Sequence, residues 1–383
     1  MEDEDRISDL LNGFYSSLFS SSRLTEFDEV LEGVETRVTQ EMNEKLLYSF
    51  VASEVQAALA QMKANIAPGP DGFPPLFYKQ VLNSGILPHE LNHTFLTLIP
   101  KIKSPRRVTN FRPISLTNVL YKLIAKVLAN CLKKFLPQLI SKTQSAFLLG
   151  HLITGNILIA HEIQHCLKAK RTRKMGLMAL KLDMSKAYDH VEWVFLEKIM
   201  AKMGFSTRWI SLISMCIRSV TYSILLNGQH HRLISPQRGL RQGDLLSPCL
   251  FLLITEGLHR FLKKVEDEDS LRGVSLCLAS PCISHLLFVD DRLIFYKAYT
   301  SDCQKIQSIL QIYENASGQN INQGKTNMFF ITNTLAQTQE EIKALLAVPA
   351  IQWYEQYLGL PSLVGRAKKK SFSMIKERIW KKN

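Results

Sequence analysis

The sequence predicts an α+β fold in which an antiparallel sheet is backed by helices. Residues 177–331 alternate as strand, helix, strand, strand, helix and strand, which is typical of such a sheet with helices on one face. Asn227-Gly228 separates two strand-like segments and is a strong signal for a tight hairpin turn. A second hairpin is predicted where Asp290, Asp291 and Arg292 separate the apolar segments 283–289 and 293–296.

The remaining elements follow in chain order from hydrophobic periodicity and from start and stop signals. Residues 1–64 are predicted to be helical and polar, and a capping pattern at Ser53 and Gln56 opens a helix over 54–63. Ser247-Pro248 starts a later helix that runs to about residue 264, with serine as the cap and proline at the first position. Further strands are predicted at 96–99, 177–182, 222–226, 232–235 and 328–331, and further helices at 116–139, 192–203 and 302–316.

The composition bounds the class of protein. The chain has 383 residues, of which 46% are hydrophobic, so it is long enough for two or three core-bearing units. It contains no run of about eighteen apolar residues, and its acidic start is not a signal peptide. Seven scattered cysteines without a Cys-x-x-Cys pair argue against a zinc site or a disulfide frame. We expect no membrane partner and an intracellular location, nuclear or cytoplasmic and not secreted.

Charge is distributed unevenly along the chain. Residues 1–60 carry 4 Lys+Arg and 13 Asp+Glu, a net charge of −9. The remaining residues carry 43 Lys+Arg and 21 Asp+Glu, a net charge of +22. A basic body of this size suits a polyanionic partner, most simply nucleic acid, although a basic soluble protein of another kind has the same composition.

The paired aspartates are the main candidates for chemistry. Two adjacent carboxylates repel each other, and a divalent cation is the usual means of keeping both ionised. Taken alone, an ordinary turn explains Asp290 and Asp291 better, because aspartate is a common turn residue. Asp183 follows a strand-like segment, and two-metal nucleotidyl transfer needs carboxylates from separate strands around ions about 4 Å apart. That requirement is met if the two strands are neighbours, which the sequence leaves open.

Three motifs occur in one order along the chain, at residues 182–189, 238–248 and 288–291. Weaker supporting stretches lie at 67–73, 98–101, 110–116, 324–326 and 357–361. The ordered set resembles the reverse transcriptase domain of non-LTR retrotransposons, in particular the plant LINE-like kind. The resemblance covers nearly the whole chain.

The resemblance implies a right-hand polymerase palm with fingers and with the thumb mostly absent. It implies an RNA-directed DNA polymerase that transfers a nucleotide from a dNTP to a primer 3′-hydroxyl on an RNA template. The implied partners are the RNA template, a DNA primer and the dNTP, and the implied cofactor is a pair of Mg²⁺ ions, with Mn²⁺ as an alternative. It divides the chain into an acidic helical linker or extension at 1–66, fingers and palm at 67–365, and a truncated start of the thumb at 366–383. No oligomeric state is indicated.

The resemblance also assigns roles to single residues. Asp183, Asp290 and Asp291 form the catalytic set, and the metal ligands are Asp183, the Met184 carbonyl and Asp290. The residues implied in nucleotide binding are Lys101, Arg112, Tyr188, Gln242, Gly243 and Lys325. The segment implied in primer binding is Tyr357, Leu358 and Gly359. Without the resemblance, Tyr188 is better explained as a half-buried strand aromatic, Gln242 and Gly243 as a loop before the Ser247 cap, and each single cation as a solvated charge.

Several residues depart from the family pattern. Val289 and Arg292 replace smaller residues on either side of the aspartates, and a cation at 292 could weaken metal affinity or pair harmlessly with an acid. The segment after Tyr78 is short, Ile66 replaces a frequent lysine, and Leu245 replaces a proline. A catalytically inactive retroelement remnant that only binds nucleic acid is therefore an alternative, and a decayed product without a stable fold is a third.

Overall fold

The computed structural model describes residues 4–22, 24–62, 81–87, 89–148, 150–169, 176–275, 281–331, 333–348, 356–358, 360–361, 373, 377 and 380. The chain divides into two compact units. Unit 1 comprises Met1–Ile140, Lys186–Gly257 and Asn315–Gln319, and unit 2 comprises Ser141–Ser185, Leu258–Glu314 and Asn320–Asn383. The predicted turn at 67–73, and all but three residues of the predicted thumb start, lie outside the described residues.

Helices and strands alternate along the chain, and the predicted α+β class is confirmed. The helices are α1 Glu4–Phe19, α2 Asp28–Glu32, α3 Gln40–Leu47, α4 Ala52–Gln61, α5 Val119–Lys133, α6 Leu136–Leu139, α7 Ile153–Ala169, α8 Trp193–Lys202, α9 Thr207–Arg218, α10 Ser247–Asp267, α11 Thr300–Ser317 and α12 Ala336–Leu345. The strands are β1 His93–Pro100, β2 Phe111–Thr117, β3 Leu177–Leu182, β4 Met184–Ser185, β5 Thr221–Leu226, β6 Gln229–Ile234, β7 Val274–Ser275, β8 Cys282–Ile283, β9 His285–Phe288, β10 Asp291–Lys297, β11 Asn320–Ile321, β12 Asn327–Phe330, β13 Gln356–Tyr357 and β14 Leu360–Pro361.

Unit 1 contains a four-stranded sheet with the order β2-β1-β5-β6. β1 is antiparallel to β2 and parallel to β5, and β5 is antiparallel to β6. The predicted hairpin between β5 and β6 is confirmed, since Asn227 and Gly228 both have positive φ, at 48° and 83°. Two positive φ values in a two-residue loop match the twist of the flanking strands, which is why the Asn-Gly pair is favoured there.

Unit 2 is built on an antiparallel sheet with the order β12-β3-β10-β9. Its core joins Leu293 and Phe295 of β10 to Ile157 and Ile163 of α7. Because side chains alternate along a strand, the residues between these point to the other face, where Met178 of β3 contacts Cys303 of α11. Helices therefore cover both faces, rather than the single face expected from residues 177–331, because α7 comes before that segment in the chain.

Element positions agree with the sequence where the pattern is local. β3 has the predicted bounds of 177–182, and the predicted strand at 96–99 is the central part of β1. Two helices were predicted to begin at the wrong residue. α4 is capped by Val51, whose amide donates to Glu54, so Ser53 lies inside the helix. The predicted helix at 116–139 begins only after Asn118, which caps it, because β2 continues through Thr117.

Among the described helices, three were not predicted from the sequence: α7, α9 and α12. Among the described helices, none is long and apolar enough to cross a membrane.

The packing of Phe295 gives a test of the unit 2 core. Its side chain is 0% exposed, and truncating a buried phenylalanine to alanine removes about 3–5 kcal/mol of unfolding free energy. We expect Phe295→Ala to lower the urea-unfolding free energy by about that amount, while Tyr299→Ala, at a 42% exposed aromatic just beyond β10, changes it by less than about 1 kcal/mol. Circular dichroism during urea titration measures both. A wild-type chain without a cooperative transition would instead support the reading of a product with no stable fold.

Candidate functional site

The register between β3 and β10 brings two of the three predicted catalytic aspartates together in unit 2. Leu182 pairs with Arg292 and Lys181 with Leu293 in the antiparallel ladder. Asp183 and Asp291 directly adjoin the pair of Leu182 with Arg292, and the charge of Asp183 acts on the Asp291 carboxyl. The two strands are therefore neighbours, which is the condition that the sequence left open.

The aspartate hairpin has a two-residue loop. Asp291 pairs with Phe288, so Val289 and Asp290 form the turn between β9 and β10. The predicted turn residues were therefore partly wrong, because the strand pairing includes Asp291 and Arg292 in β10. Val289 has a φ of 53°, which is a strained conformation for a β-branched residue. Strain of this kind costs about 1–3 kcal/mol and persists only where the surrounding structure imposes it. The departure from the family pattern at Val289 therefore affects the backbone of the turn as well as the volume beside it.

The carboxylates of unit 2 interact electrostatically. Burial raises the pKa of the Asp291 carboxyl above its ordinary value, and the charges of Asp290 and Asp183 raise it further, while Lys181 lowers it. The Lys181 Nζ lies 3.7 Å from Asp291 Oδ1, and the Lys325 Nζ lies 3.7 Å from Asp183 Oδ2. The two lysines thus partly neutralise the negative charge of Asp183 and Asp291.

A short strand pair holds the backbone around Asp183. β4, directly after Asp183, pairs with β11 through Met184 and Ile321. The amide of Asn322 donates to the Asp183 carbonyl at 2.8 Å. The position of Asp183 is therefore fixed on both sides, by β3 before it and by the β4–β11 pair after it. The Met184 carbonyl as a metal ligand stays a prediction.

The donors of this site suit a divalent metal ion, although they do not form a complete cage. In the part of the chain that the structure describes, no group of three or more His, Cys, Asp or Glu side chains has the arrangement of a metal site. Mg²⁺ is commonly held by one or two carboxylates together with substrate phosphates rather than by an all-protein cage. The partly exposed Asp183 and Asp291, at 33% and 32% side-chain exposure, with the exposed Asp290 beside them, fit that pattern.

The predicted primer-binding segment forms a small hairpin in unit 2. Tyr357 of β13 pairs with Leu360 of β14, and Leu358 has a φ of 50°. Gly359 lies outside the described residues. The Tyr357 side chain is 0% exposed and belongs to the unit 2 core, so its ring is a packing group rather than a surface contact. The primer role of the segment stays a prediction.

Three of the predicted nucleotide-binding residues of unit 1 act on one buried carboxylate. Gln242 Nε2 donates to Asp189 Oδ1 at 2.9 Å, and the positive charges of Lys101 and Arg112 also act on Asp189. Burial raises the pKa of Asp189 to about 6, and the hydrogen bond from Gln242 and the nearby cations oppose the rise. This hydrogen bond turns the Gln242 amide so that its Nε2 faces Asp189.

Lys186 belongs to the same cluster. Burial lowers the pKa of Lys186 to about 8, and its Nζ lies 3.9 Å from the centre of the Phe14 ring. α1 thus contributes an aromatic contact beside the cluster.

Two of the predicted residues, Tyr188 and Gly243, are explained by their local structure. The half-buried Tyr188 ring stacks on Phe251, with centroids 4.6 Å apart and planes inclined by 5°. Gly243 has a φ of 98°, while a Cβ there would meet its neighbours only at 3.7 Å. The positive φ by itself favours glycine at that position, and the nucleotide-binding role of Gly243 stays a prediction.

Three residues of these clusters were missed by the sequence reading: Lys181, Lys186 and Asp189. Lys181 had a usable signal, since it lies two residues before Asp183 on the same strand face. Asp189 had none, because its partner Gln242 is 53 residues away along the chain.

Comparison with protein families gives one match that covers most of the chain. The family described as reverse transcriptase (RNA-dependent DNA polymerase) matches residues 99–361. This span contains all three motifs of the sequence and every predicted site residue.

Two of the curated relatives are longer proteins of mobile elements. A 149 kDa uncharacterized protein of transposon TX1 from Xenopus laevis is 27% identical over 346 residues, which cover 85% of this chain and 26% of that protein. A Pol polyprotein from the type-1 retrotransposable element R2 of Popillia japonica is 26% identical over 63% of this chain and 34% of its own length. The chain thus spans between a quarter and about a third of these relatives.

A shorter relative is an uncharacterized mitochondrial protein of Arabidopsis thaliana, 35% identical over 28% of this chain and 87% of that protein. Among solved structures, apo telomerase from Candida tropicalis, truncated from the C-terminal domain, aligns with a TM-score of 0.44 and 13% identity over 66% of this chain and 52% of its own.

The buried carboxyl of Asp189 predicts a specific pH dependence of stability. Its pKa of about 6 exceeds the ordinary value of 3.8, so the unfolded state ionises first as the pH rises. The wild type therefore loses stability between about pH 4 and pH 6, by on the order of 3 kcal/mol from this group. Asp189→Asn removes the titration, so its unfolding free energy relative to wild type should rise by that amount between pH 4 and pH 7.

Urea unfolding at the two pH values measures this effect, and Glu26→Gln, an exposed loop carboxylate, is the matched control. An Asp189→Asn variant with the same pH slope as wild type would show that the carboxyl is solvated rather than buried.

Proposed function

The chain belongs to the reverse transcriptase (RNA-dependent DNA polymerase) family, and we propose that it catalyses RNA-directed DNA synthesis. The reaction is nucleotidyl transfer from a dNTP to a primer 3′-hydroxyl on an RNA template. The observation that carries the proposal is the β3–β10 pairing, in which Leu182, directly before Asp183, lies opposite Arg292, directly after Asp291. The R2 and TX1 relatives support a non-LTR retroelement as the source, and the Arabidopsis relative supports a plant LINE-like kind. The predicted domain boundaries and the intracellular location stay predictions.

The carboxylates of unit 2 would hold the divalent ions. Asp183 and Asp290 would bind them together with the Met184 carbonyl, and Asp291 would complete the site. Two Mg²⁺ ions, or Mn²⁺ in their place, would lower the pKa of the primer hydroxyl and neutralise the leaving pyrophosphate. Lys325 would donate hydrogen bonds to the pyrophosphate as it leaves, from its position beside Asp183.

The cluster of unit 1 would bind the nucleotide. Lys101 and Arg112 would contact the triphosphate, for which a guanidinium offers two parallel hydrogen bonds. Tyr188, held by its stack on Phe251, would lie under the sugar and exclude a 2′-hydroxyl. Gln242 and Gly243 would lie against the template and the nascent base pair. Residues 357–359 would hold the primer end.

A second candidate function is nucleic-acid binding without synthesis. It is favoured by the two lysines beside Asp183 and Asp291 and by the net charge of +22 after residue 60. It predicts binding to RNA or DNA that weakens steeply as salt is raised, with no incorporation of dNTPs.

Loss of Asp290 tests the proposed reaction. We expect the wild type to extend a DNA primer on an RNA template with Mg²⁺, and Asp290→Ala to lower the rate by at least about a hundredfold, because a metal ligand is lost. Asp267→Ala, which removes an exposed carboxylate of α10, is the control that should retain activity. Equal background for wild type and Asp290→Ala, together with salt-dependent binding of both, would replace the proposed reaction by the second candidate.

Discrimination between sugars tests the position of Tyr188. We expect Tyr188→Val to narrow the ratio of kcat/KM for a dNTP over the matching rNTP by about tenfold or more, since the ring no longer excludes the 2′-hydroxyl. Tyr188→Phe keeps the ring and the stack on Phe251, and its ratio should match wild type. Steady-state primer extension with dGTP and GTP measures the ratio. If Tyr188→Val discriminated as well as wild type, the ring would be only a packing group.

A further inference from the structure

Arg292 directly follows the two aspartates, yet its side chain is fully buried, with 0% exposure. It is the second residue of β10, opposite Leu182 of β3 and Leu287 of β9. Because neighbouring residues of a strand point to opposite faces, Arg292 lies on the face of β10 away from Asp291. The guanidinium therefore extends behind the carboxylates rather than among them.

On that face the Arg292 guanidinium packs against α11. The Arg292 Cζ lies 5.4 Å from the centre of the Tyr313 ring, which is within the range of a cation–π contact. The next residue of α11, Glu314, is half-buried. Burial raises the pKa of the Glu314 carboxyl, while the Ile321 amide and the charge of Arg292 oppose the rise. Arg292 thus favours the ionised form of Glu314.

Glu314 in turn binds the backbone of β11. Its Oε1 accepts a hydrogen bond from the Ile321 amide, and Ile321 pairs with Met184 of β4. The next amide, that of Asn322, donates to the Asp183 carbonyl at 2.8 Å. The charge of Arg292, packed against the neighbouring Tyr313, therefore acts on Glu314, and hydrogen bonds lead from Glu314 through β11 to the backbone of Asp183.

We propose that Arg292 is a positioning residue that fixes the backbone of Asp183 through Glu314 and β11. This inference rests on the proposed function, because it takes Asp183 as a metal ligand. An ionised carboxylate accepts a hydrogen bond from an amide more strongly than a neutral one does. Removing the cation weakens the Glu314–Ile321 contact and loosens the β4–β11 pair. The effect of Arg292 on metal binding is then to support it, whereas a cation among the carboxylates would oppose it.

The test uses the whole chain with four variants: Arg292→Met, Arg292→Lys, Glu314→Gln and the double variant Arg292→Met with Glu314→Gln. Hydrogen exchange of the peptide that contains residues 320–322 reports on the β4–β11 pair without any need for activity. Primer extension reports kcat, the KM for dNTP and the Mg²⁺ concentration at half-maximal rate. Lys297→Met, a cation at the other end of β10, is the matched control.

We expect Arg292→Met to speed exchange over 320–322 and to lower kcat by about tenfold or more, with a nearly unchanged KM for dNTP, because small displacements of a catalytic group are costly. More Mg²⁺ should be needed for half-maximal rate. Arg292→Lys should restore most of both properties. The double variant should be no worse than Arg292→Met, since both changes act on one contact.

Unchanged exchange over 320–322 in Arg292→Met would overturn the proposal, and so would a lower Mg²⁺ requirement, which would place the cation among the carboxylates. If Arg292→Met does not fold, Arg292→Lys and Glu314→Gln decide the same question through the exchange of 320–322. A wild type that extends no primer would refute the proposed function, while the exchange measurement would still decide the role of Arg292.

Discussion

The candidate site of unit 2 depends on the pairing of β3 with β10. Two carboxylates side by side repel each other, so nothing in their own chemistry brings Asp183 and Asp291 together. The backbone ladder does so, since the pairing of Leu182 with Arg292 fixes which residues come next. A shift of the register by one residue would turn Leu293 and Phe295 away from the core that they form with α7. Apolar packing therefore holds the charges in place against their repulsion.

In the cluster of unit 1, polar partners rather than apolar packing stabilise the carboxylate. Asp189 is buried, and burial makes its ionisation costly, so polar partners must surround it. Those partners come from distant parts of the chain, Gln242 from the loop before α10 and Lys101 from the loop after β1. Because its pKa is raised to about 6, the Asp189 carboxyl stays protonated in a minor fraction of the molecules near neutral pH. The orientation of the Gln242 amide is thus tied to a group that contacts no substrate in the proposed reaction.

Two departures from the family pattern beside the aspartates have different physical consequences. Val289 adopts a positive φ in the turn, so the strain lies in the backbone between β9 and β10. Arg292 is inside unit 2 against Tyr313, and its charge acts on Glu314. A large residue next to a site can therefore support that site when the alternation of side chains along a strand turns it to the other face.

Local chemistry allowed several features to be predicted from the sequence alone: the bounds of β3, the Asn227-Gly228 turn and the existence of the aspartate hairpin. Each depends on residues within a few positions of one another, so no knowledge of long-range contacts was needed. The helix start at Ser53 was wrong for the same reason, because a nearby Glu54 could serve a cap at Val51 equally well. Only the tertiary structure decided that β3 and β10 are neighbours, that Asp189 binds Gln242, and that Arg292 faces α11. These facts depend on strand order and on which face of a strand meets which helix, and residues far apart in the chain determine both.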